Sequence, residues 1–127
     1  SDEPIDYPFV QRPDILAALS QESYTVFRPT AKENAIILVE KDLVSPDPAD
    51  TPYCIPATRL AEELGRRVVT NMVMLGYFTA VTGIVTPEAV QKAISTSVKP
   101  KTVPLNLKAF ETGFLYAIEK FPPRSQP

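Results

Sequence analysis

Residues that could do chemistry are few in this chain of 127 residues. It contains no histidine and a single cysteine, Cys54. A Ser-His-Asp triad, a histidine-ligated zinc and a cluster held by several cysteine thiolates are therefore excluded. None of the four glycines stands in the spacing of a dinucleotide-binding turn or a P-loop. The sequence thus carries no complete catalytic site of a familiar type.

Two groups of candidate ligands have structural interpretations. Asp42, Asp47 and Asp50 lie in one short segment, but prolines separate them and the glycine and terminal Glu of a calcium loop are missing. We expect a solvated loop there and no metal. Cys54 lies in an apolar stretch without a neighbouring basic cluster, and we expect a small core residue rather than a reactive thiol.

Asn71 is the polar residue within the most apolar part of the chain, the uncharged run from Val68 to Val85. In structural terms its amide would cap a helix or form hydrogen bonds inside the core. The run also contains threonines and two glycines and ends at Thr86 and Pro87, which are typical of a new helix start. This pattern favours a helix buried in a globular core over a membrane span, and no membrane association is expected.

Three short apolar runs in the first half predict β-strands, at 14–19, 35–39 and 53–56. Ser20 is placed to cap a helix over 21–27, and Thr58 to cap a helix over 59–64 that Gly65 ends. The loop between the second and third strands carries three prolines.

The second half predicts three helices. The segment 68–81 is apolar on nearly every face, which indicates a helix covered on all sides, with Gly76 packed closely against the sheet and Gly83 at its end. Thr86 should cap a second helix, and Asn106 should cap a third. The expected core stripes are Ala89, Val90, Ala93, Ile94 and Val98 on the second helix, and Phe110, Phe114, Ala117, Ile118 and Phe121 on the third.

This order of elements predicts an α/β fold, a three-layer α/β/α Rossmann-like domain with a mainly parallel sheet. Three strands are few for so many helices, and we expect the N-terminal part of the domain to precede residue 1. Residues 1–121 are assigned to this single domain, with 1–13 extended and 122–127 a disordered tail. The strand 35–39 should be central. The open edge of 14–19 should be covered by another copy, by residues 1–10 or by sequence not included here.

The net charge is −2, and no Lys/Arg cluster with interleaved aromatic residues indicates nucleic acid. Residues 1–65 contain 12 acidic and 5 basic side chains, whereas residues 66–127 contain 3 acidic and 8 basic side chains. Solvated loops and helix faces, or a charge-complementary partner surface, would each account for this asymmetry. Without a signal sequence or a possible internal disulfide, the expected location is cytoplasmic.

Six segments in order resemble the gamma subunit, or gamma domain, of the 2-oxoacid:ferredoxin oxidoreductases, and they run from residue 1 to about residue 119. In one-letter code they are SDEPI (1–5), RPDILAALSQE (12–22), IPAT (55–58), NMVMLG (71–76), TGIV (82–85) and LNLKAFETG (105–113). The strand and glycine-rich turn with which such domains usually begin are not in this sequence.

The resemblance implies an enzyme subunit that is not catalytic alone. The complex would oxidatively decarboxylate a 2-oxoacid, form an acyl-coenzyme A and CO2, and reduce ferredoxin. Thiamine diphosphate, iron–sulfur clusters and coenzyme A would be used by the complex, with none held by this chain. The implied partners are the alpha, beta and ferredoxin-like delta subunits, and a homodimer is an open alternative. Asn71, in the matching Asn-Met-Val segment, becomes a candidate cofactor-facing interface residue.

A different class of function stays open at this point. A stand-alone α/β binding or regulatory module could have the same fold without a redox role, because fold alone does not fix function. The sequence does not determine which 2-oxoacid, pyruvate or 2-oxoglutarate among them, the complex would use.

Overall fold

A computed structural model describes residues 14–120 of the chain. The strands are β1 (Ile15–Ala18), β2 (Ile36–Glu40) and β3 (Tyr53–Ile55). The helices are α1 (Gln21–Phe27), α2 (Ala57–Glu63), α3 (Thr70–Thr82), α4 (Pro87–Ser97) and α5 (Val103–Lys120), with short 3-10 helices at Arg28–Thr30, Arg67–Val69 and Pro100–Thr102. The expectations for residues 1–13 and 121–127, including an extended start, a disordered tail and a core position for Phe121, lie outside the described residues.

The three strands form one parallel sheet in the order β1-β2-β3. Ile15 of β1 pairs with Ile36 of β2, and Leu38 of β2 pairs with Tyr53 of β3. The prediction that the second strand is central is therefore confirmed. Within residues 14–120, β1 pairs with β2 alone, so its other edge has no partner strand in that part of the chain.

Helices cover both faces of this sheet. On one face Leu38 and Ile55 are fully buried in a core that includes residues of α2, α3 and α5. On the other face Ile37 and Val39 are buried beneath Tyr24 of α1, together with Val44 of the following loop. This alternation follows from the opposite directions of successive side chains on a strand. The α/β prediction, with helices on either side of a parallel sheet, is confirmed.

The helices α3 and α5 pack more closely than side chains would allow. A Cβ atom on Gly76 would lie 1.9 Å from the carbonyl oxygen of Phe110, and one on Gly113 would lie 1.8 Å from that of Val73. The expectation that Gly76 packs against the sheet is therefore wrong. Its missing side chain instead allows direct contact between two helix backbones, because glycine alone presents no Cβ there.

Helix ends agree with the sequence in four places. The Ser20 hydroxyl accepts a hydrogen bond from the Ser23 amide at 3.1 Å, and Thr86 accepts one from Ala89 at 3.1 Å. Gly65 and Gly83 have φ angles of 94° and 64°, which glycine adopts readily after a helix end. Four helix boundaries thus follow local sequence chemistry.

Two predicted caps are wrong. Helix α2 begins at Ala57 rather than after Thr58, and its cap residue Pro56 forms no side-chain cap bond. Helix α5 begins at Val103, directly after a 3-10 turn, which places Asn106 inside its first turn. There the Asn106 amide Nδ2 donates to the Thr102 carbonyl at 2.9 Å. Both residues lie in the helices that they were expected to precede.

The predicted stripes are only partly buried. Helix α3 buries Val73, Met74, Gly76, Tyr77 and Thr79, but Asn71 is exposed, so the helix is not covered on all sides. Helix α4 buries Ile94 alone, whereas α5 buries Phe110 and Ala117 and leaves Ile118 exposed. Among residues 14–120 no helix combines the length and apolar character that a membrane span requires.

Candidate functional site

A groove of about 310 Å³ lies where the amino-terminal ends of α3 and α5 meet. Its lining residues are Arg66, Val68, Val69, Asn71, Met72, Val98, Thr102, Leu105 and Asn106. Both helices begin directly after a 3-10 turn, which brings the residues of those turns into the walls. Five of these nine lining residues are apolar, four are polar or basic, and none is acidic.

The two helices run side by side in the same direction. Their first turns both line the groove, and their middles are in contact at Gly76 and Gly113. Towards their carboxyl-terminal ends, the Tyr77 and Tyr116 rings pack edge to face with centroids 5.9 Å apart. Peptide dipoles within a helix add up to a partial positive charge at its amino-terminal end. Two such ends therefore lie beside this groove.

Asn71, the predicted site residue, lies in the wall of this groove. It is the second residue of α3 and is exposed, with no hydrogen bond from its side chain to residues 14–120. Neither structural interpretation of Asn71 is correct, because it neither caps the helix nor lies in the core. Because residues 14–120 use neither its donors nor its acceptor, this exposed amide could bind a partner molecule.

Glu40 is the acidic residue that sequence reasoning missed. It ends β2, its side chain is fully buried, and its carboxylate accepts hydrogen bonds from three backbone amides. These come from Asp42 at 2.6 Å, Leu43 at 3.1 Å and Thr58 at 2.7 Å. Glu40 thus joins the carboxyl end of the central strand to the first turn of α2. The sequence did contain a signal for this role, because Glu40 is an acidic residue directly after the apolar run 35–39.

Asp50 is not solvated, contrary to the prediction for its loop. Its side chain accepts hydrogen bonds from Arg28 Nε at 3.0 Å and from the Tyr24 hydroxyl. The same hydroxyl accepts a hydrogen bond from the Asp47 amide at 2.8 Å. The Arg28 guanidinium holds the pKa of the Asp50 carboxyl below its usual value. Burial acts to raise that pKa, whereas the hydrogen bond from Tyr24 lowers it further. Asp50 therefore anchors the loop to α1.

The other two loop aspartates have separate partners. Asp42 pairs with Arg59 at 2.8 Å on the surface, and Asp47 accepts a hydrogen bond from the Ala49 amide at 2.8 Å. The three carboxylates therefore face different partners and do not converge. Throughout residues 14–120, no three His, Cys, Asp or Glu side chains form a group that could hold a metal ion.

Cys54 has the environment of a structural thiol. It is partly buried against the core beneath α1, and burial raises the pKa of its thiol, with the Lys41 charge opposing that effect. The Tyr77 hydroxyl donates to the Cys54 carbonyl at 3.1 Å, which connects α3 to β3. Because the thiolate is the reactive form, a raised pKa disfavours reactivity at this position.

The sequence matches known proteins along most of its length. The model of the family described as pyruvate ferredoxin/flavodoxin oxidoreductase matches residues 1–116. The 2-oxoglutarate synthase subunit KorC of Methanocaldococcus jannaschii is 47% identical over 124 residues, covering 94% of this chain and 66% of the relative. The pyruvate synthase subunit PorC of the same organism is 34% identical, covering 91% of this chain and 62% of that relative. The chain thus spans slightly less than two thirds of these curated relatives.

Solved structures agree in fold. The gamma subunit of a keto/oxoacid ferredoxin oxidoreductase from Geobacter sulfurreducens is 37% identical, with a TM-score of 0.78, over 84% of this chain and 64% of that one. The pyruvate oxidoreductase subunit PORC from Thermotoga maritima is 25% identical, with a TM-score of 0.63, over 84% of this chain and 64% of that one. With the family match over residues 1–116, these likenesses establish that the chain belongs to the pyruvate ferredoxin/flavodoxin oxidoreductase family.

Proposed function

We propose that this chain is part of the gamma component of a 2-oxoacid:ferredoxin oxidoreductase complex. The observation that carries the proposal is the family match over residues 1–116 together with a gamma-subunit structure of the same fold. The complex would oxidatively decarboxylate a 2-oxoacid to an acyl-coenzyme A and CO2, and the two electrons released would reduce ferredoxin. The chain would act in the assembly and not alone.

Two features of the described residues argue against a resident metal cluster and against a phosphate group bound at the start of α2. No metal-binding group of three ligands is formed within residues 14–120. The amide of Thr58 in the first turn of α2, which in other α/β folds would be open to a phosphate, is bonded to the Glu40 carboxylate instead. A second anion at that point would be repelled by Glu40. By the family resemblance, thiamine diphosphate, the iron–sulfur clusters and coenzyme A would be held mainly by other subunits or domains of the complex.

The proposed contribution of Asn71 is at an interface. Its amide is exposed in the first turn of α3 and is not used by residues 14–120. A partner subunit, or a part of the domain that approaches its cofactor, would supply the missing hydrogen bonds. The role is one of positioning, since nothing in the amide itself transfers protons or electrons.

The proposed substrate is 2-oxoglutarate. The KorC relatives from Methanocaldococcus jannaschii, Methanothermobacter marburgensis and Methanothermobacter thermautotrophicus are 47%, 39% and 40% identical, compared with 34% for the pyruvate synthase subunit and 30% for KorC of Archaeoglobus fulgidus. Three of these four KorC relatives are more similar to this chain than the pyruvate synthase subunit, which supports 2-oxoglutarate over pyruvate. Direct comparison of the two acids in the purified complex distinguishes them.

The test is co-purification from the native organism or from co-expressed subunits. An affinity tag on the full-length protein should recover a thiamine-dependent subunit and an iron–sulfur subunit in fixed stoichiometry. The recovered complex should reduce a viologen dye when given a 2-oxoacid and coenzyme A. A stand-alone binding module would be recovered without either subunit.

A further inference from the structure

The groove between the amino-terminal ends of α3 and α5 combines apolar and polar lining residues with basic side chains at its rim. Val68 is 71% exposed and lies in the groove wall with Met72 and Leu105, which are only partly buried. A single exposed aliphatic side chain is common on protein surfaces, but Val68 lines the same groove as the partly buried Met72 and Leu105 and so extends their apolar surface.

The charges around the groove have one dominant sign. Arg66 lines it and forms no ion pair with residues 14–120, and the exposed Lys99 and Lys101 lie on the segment 98–102 that forms one wall and are likewise unpaired there. Arg67 reaches Glu62 at 4.0 Å, with both side chains exposed. The amino-terminal end of α3 has no side-chain cap bond and adds partial positive charge.

Two amides add directional hydrogen-bonding capacity. Asn106 is 9% exposed and donates through Nδ2 to Thr102, but its Oδ1 accepts no hydrogen bond from residues 14–120. An acceptor left without a donor at this depth is costly, and a ligand N–H would remove that cost. Asn71 offers both donors and an acceptor at the groove edge.

From these observations we infer that the groove binds an acidic, partly apolar polypeptide segment of another subunit of the complex. Aliphatic side chains of the segment would contact Val68 and Met72, and its carboxylates would lie near Arg66 and the segment 98–102. Its backbone N–H would reach Asn106. The inference rests on the proposed function, because it takes the occupant from the same complex.

Charge reversal at the rim tests the electrostatic part. Arg66→Glu in the full-length protein should raise the dissociation constant for the remaining subunits about tenfold, equivalent to about 1.4 kcal/mol. A higher salt concentration should reduce the difference in dissociation constant between the variant and the unmodified protein. Lys92→Glu, on exposed α4 and away from the groove lining, is the matched control and should have less than about a twofold effect. Val68→Ser should also weaken binding, whereas Leu115→Ser, at an exposed position of α5, should not.

Photo-crosslinking identifies the occupant. With benzoylphenylalanine in place of Val68, the complex should yield one crosslinked partner peptide that carries more Asp and Glu than Lys and Arg. A crosslink to a second copy of this chain or to another part of the same protein, or equal binding by all four variants, would overturn the inference while leaving the complex intact. Failure of the unmodified protein to join any such complex would instead remove the proposed function, and the inference with it.

Discussion

Gly76 of α3 and Gly113 of α5 allow reciprocal backbone contact. A Cβ on the first would meet the backbone of Phe110, and a Cβ on the second would meet the backbone of Val73, in each case below 2.0 Å. The residues met by one glycine flank the other on its own helix. The two positions therefore act as a pair that sets the distance between the helices, and the groove at their amino-terminal ends depends on that distance.

Replacing either glycine by alanine should destabilise the fold. The clash is with backbone, which cannot rotate away, so we expect a loss of about 3 kcal/mol in the free energy of unfolding, despite alanine's gain in helix propensity of about 1 kcal/mol. Urea denaturation measures the change. Gly65→Ala, where no atom lies within 4 Å of the added Cβ, isolates the cost of a positive φ and should lose about 1–2 kcal/mol. Equal losses at all three positions would contradict this account.

The double variant of Gly76 and Gly113 gives a further check. Once one Cβ has separated the helices, the second meets less resistance, so the combined loss should be smaller than the sum of the two. Additive losses would mean that the two contacts are independent.

Glu40→Gln should reduce stability by about 2–4 kcal/mol. A glutamine presents at most one acceptor oxygen to three amides that now bond a carboxylate, and its NH2 group would face an N–H. Thermal unfolding of the variant measures the loss. Glu119→Gln, at an exposed position near the end of α5, is the control and should change stability by less than about 0.5 kcal/mol.

The Asp50 contacts predict a pH dependence. The pKa of Asp50 is lower in the folded chain than its ordinary value, so its contribution to stability is present above about pH 4 and declines as the pH falls through the folded pKa. Asp50→Asn should therefore cost about 1–3 kcal/mol at neutral pH. The difference between the two proteins should shrink in acid. A difference that stays constant between pH 7 and pH 2 would be inconsistent with an ionised Asp50 as the cause.

Asn71→Leu should lower turnover of the assembled complex more than it lowers stability. Because the amide is exposed and forms no bond to residues 14–120, its loss should change the free energy of unfolding by less than about 0.5 kcal/mol. Steady-state assays of the reconstituted complex, beside denaturation of the free protein, measure both quantities. Unchanged turnover would return Asn71 to an ordinary surface residue.

The order and type of elements were predictable because the local signals were unambiguous. Ser20, Thr86, Gly65 and Gly83 act through their nearest neighbours in the chain, and the β-branched run before Glu40 is typical of a central strand. The strand order followed from assigning the three predicted strands to successive strands of a doubly wound sheet, whereas the register of the sheet was not predicted.

The errors concern contacts between distant segments. Thr58 does not cap α2 because the Glu40 carboxylate, 18 residues earlier, binds its amide. Gly76 contacts α5 rather than the sheet, and Asp50 is drawn out of solvent by Arg28 and Tyr24, 22 and 26 residues away. No local pattern encodes such pairings, and the groove could not be anticipated because its walls come from two helices joined only through α4.

The most direct test of the central claim is reconstitution of the complex with and without this protein. The thiamine-dependent and iron–sulfur subunits should be assayed for viologen reduction driven by 2-oxoglutarate and coenzyme A, first without the full-length protein and then with an equimolar amount. We predict activity when it is present and a loss of at least about tenfold, equivalent to about 1.4 kcal/mol, when it is omitted. Equal activity in both samples would contradict the account.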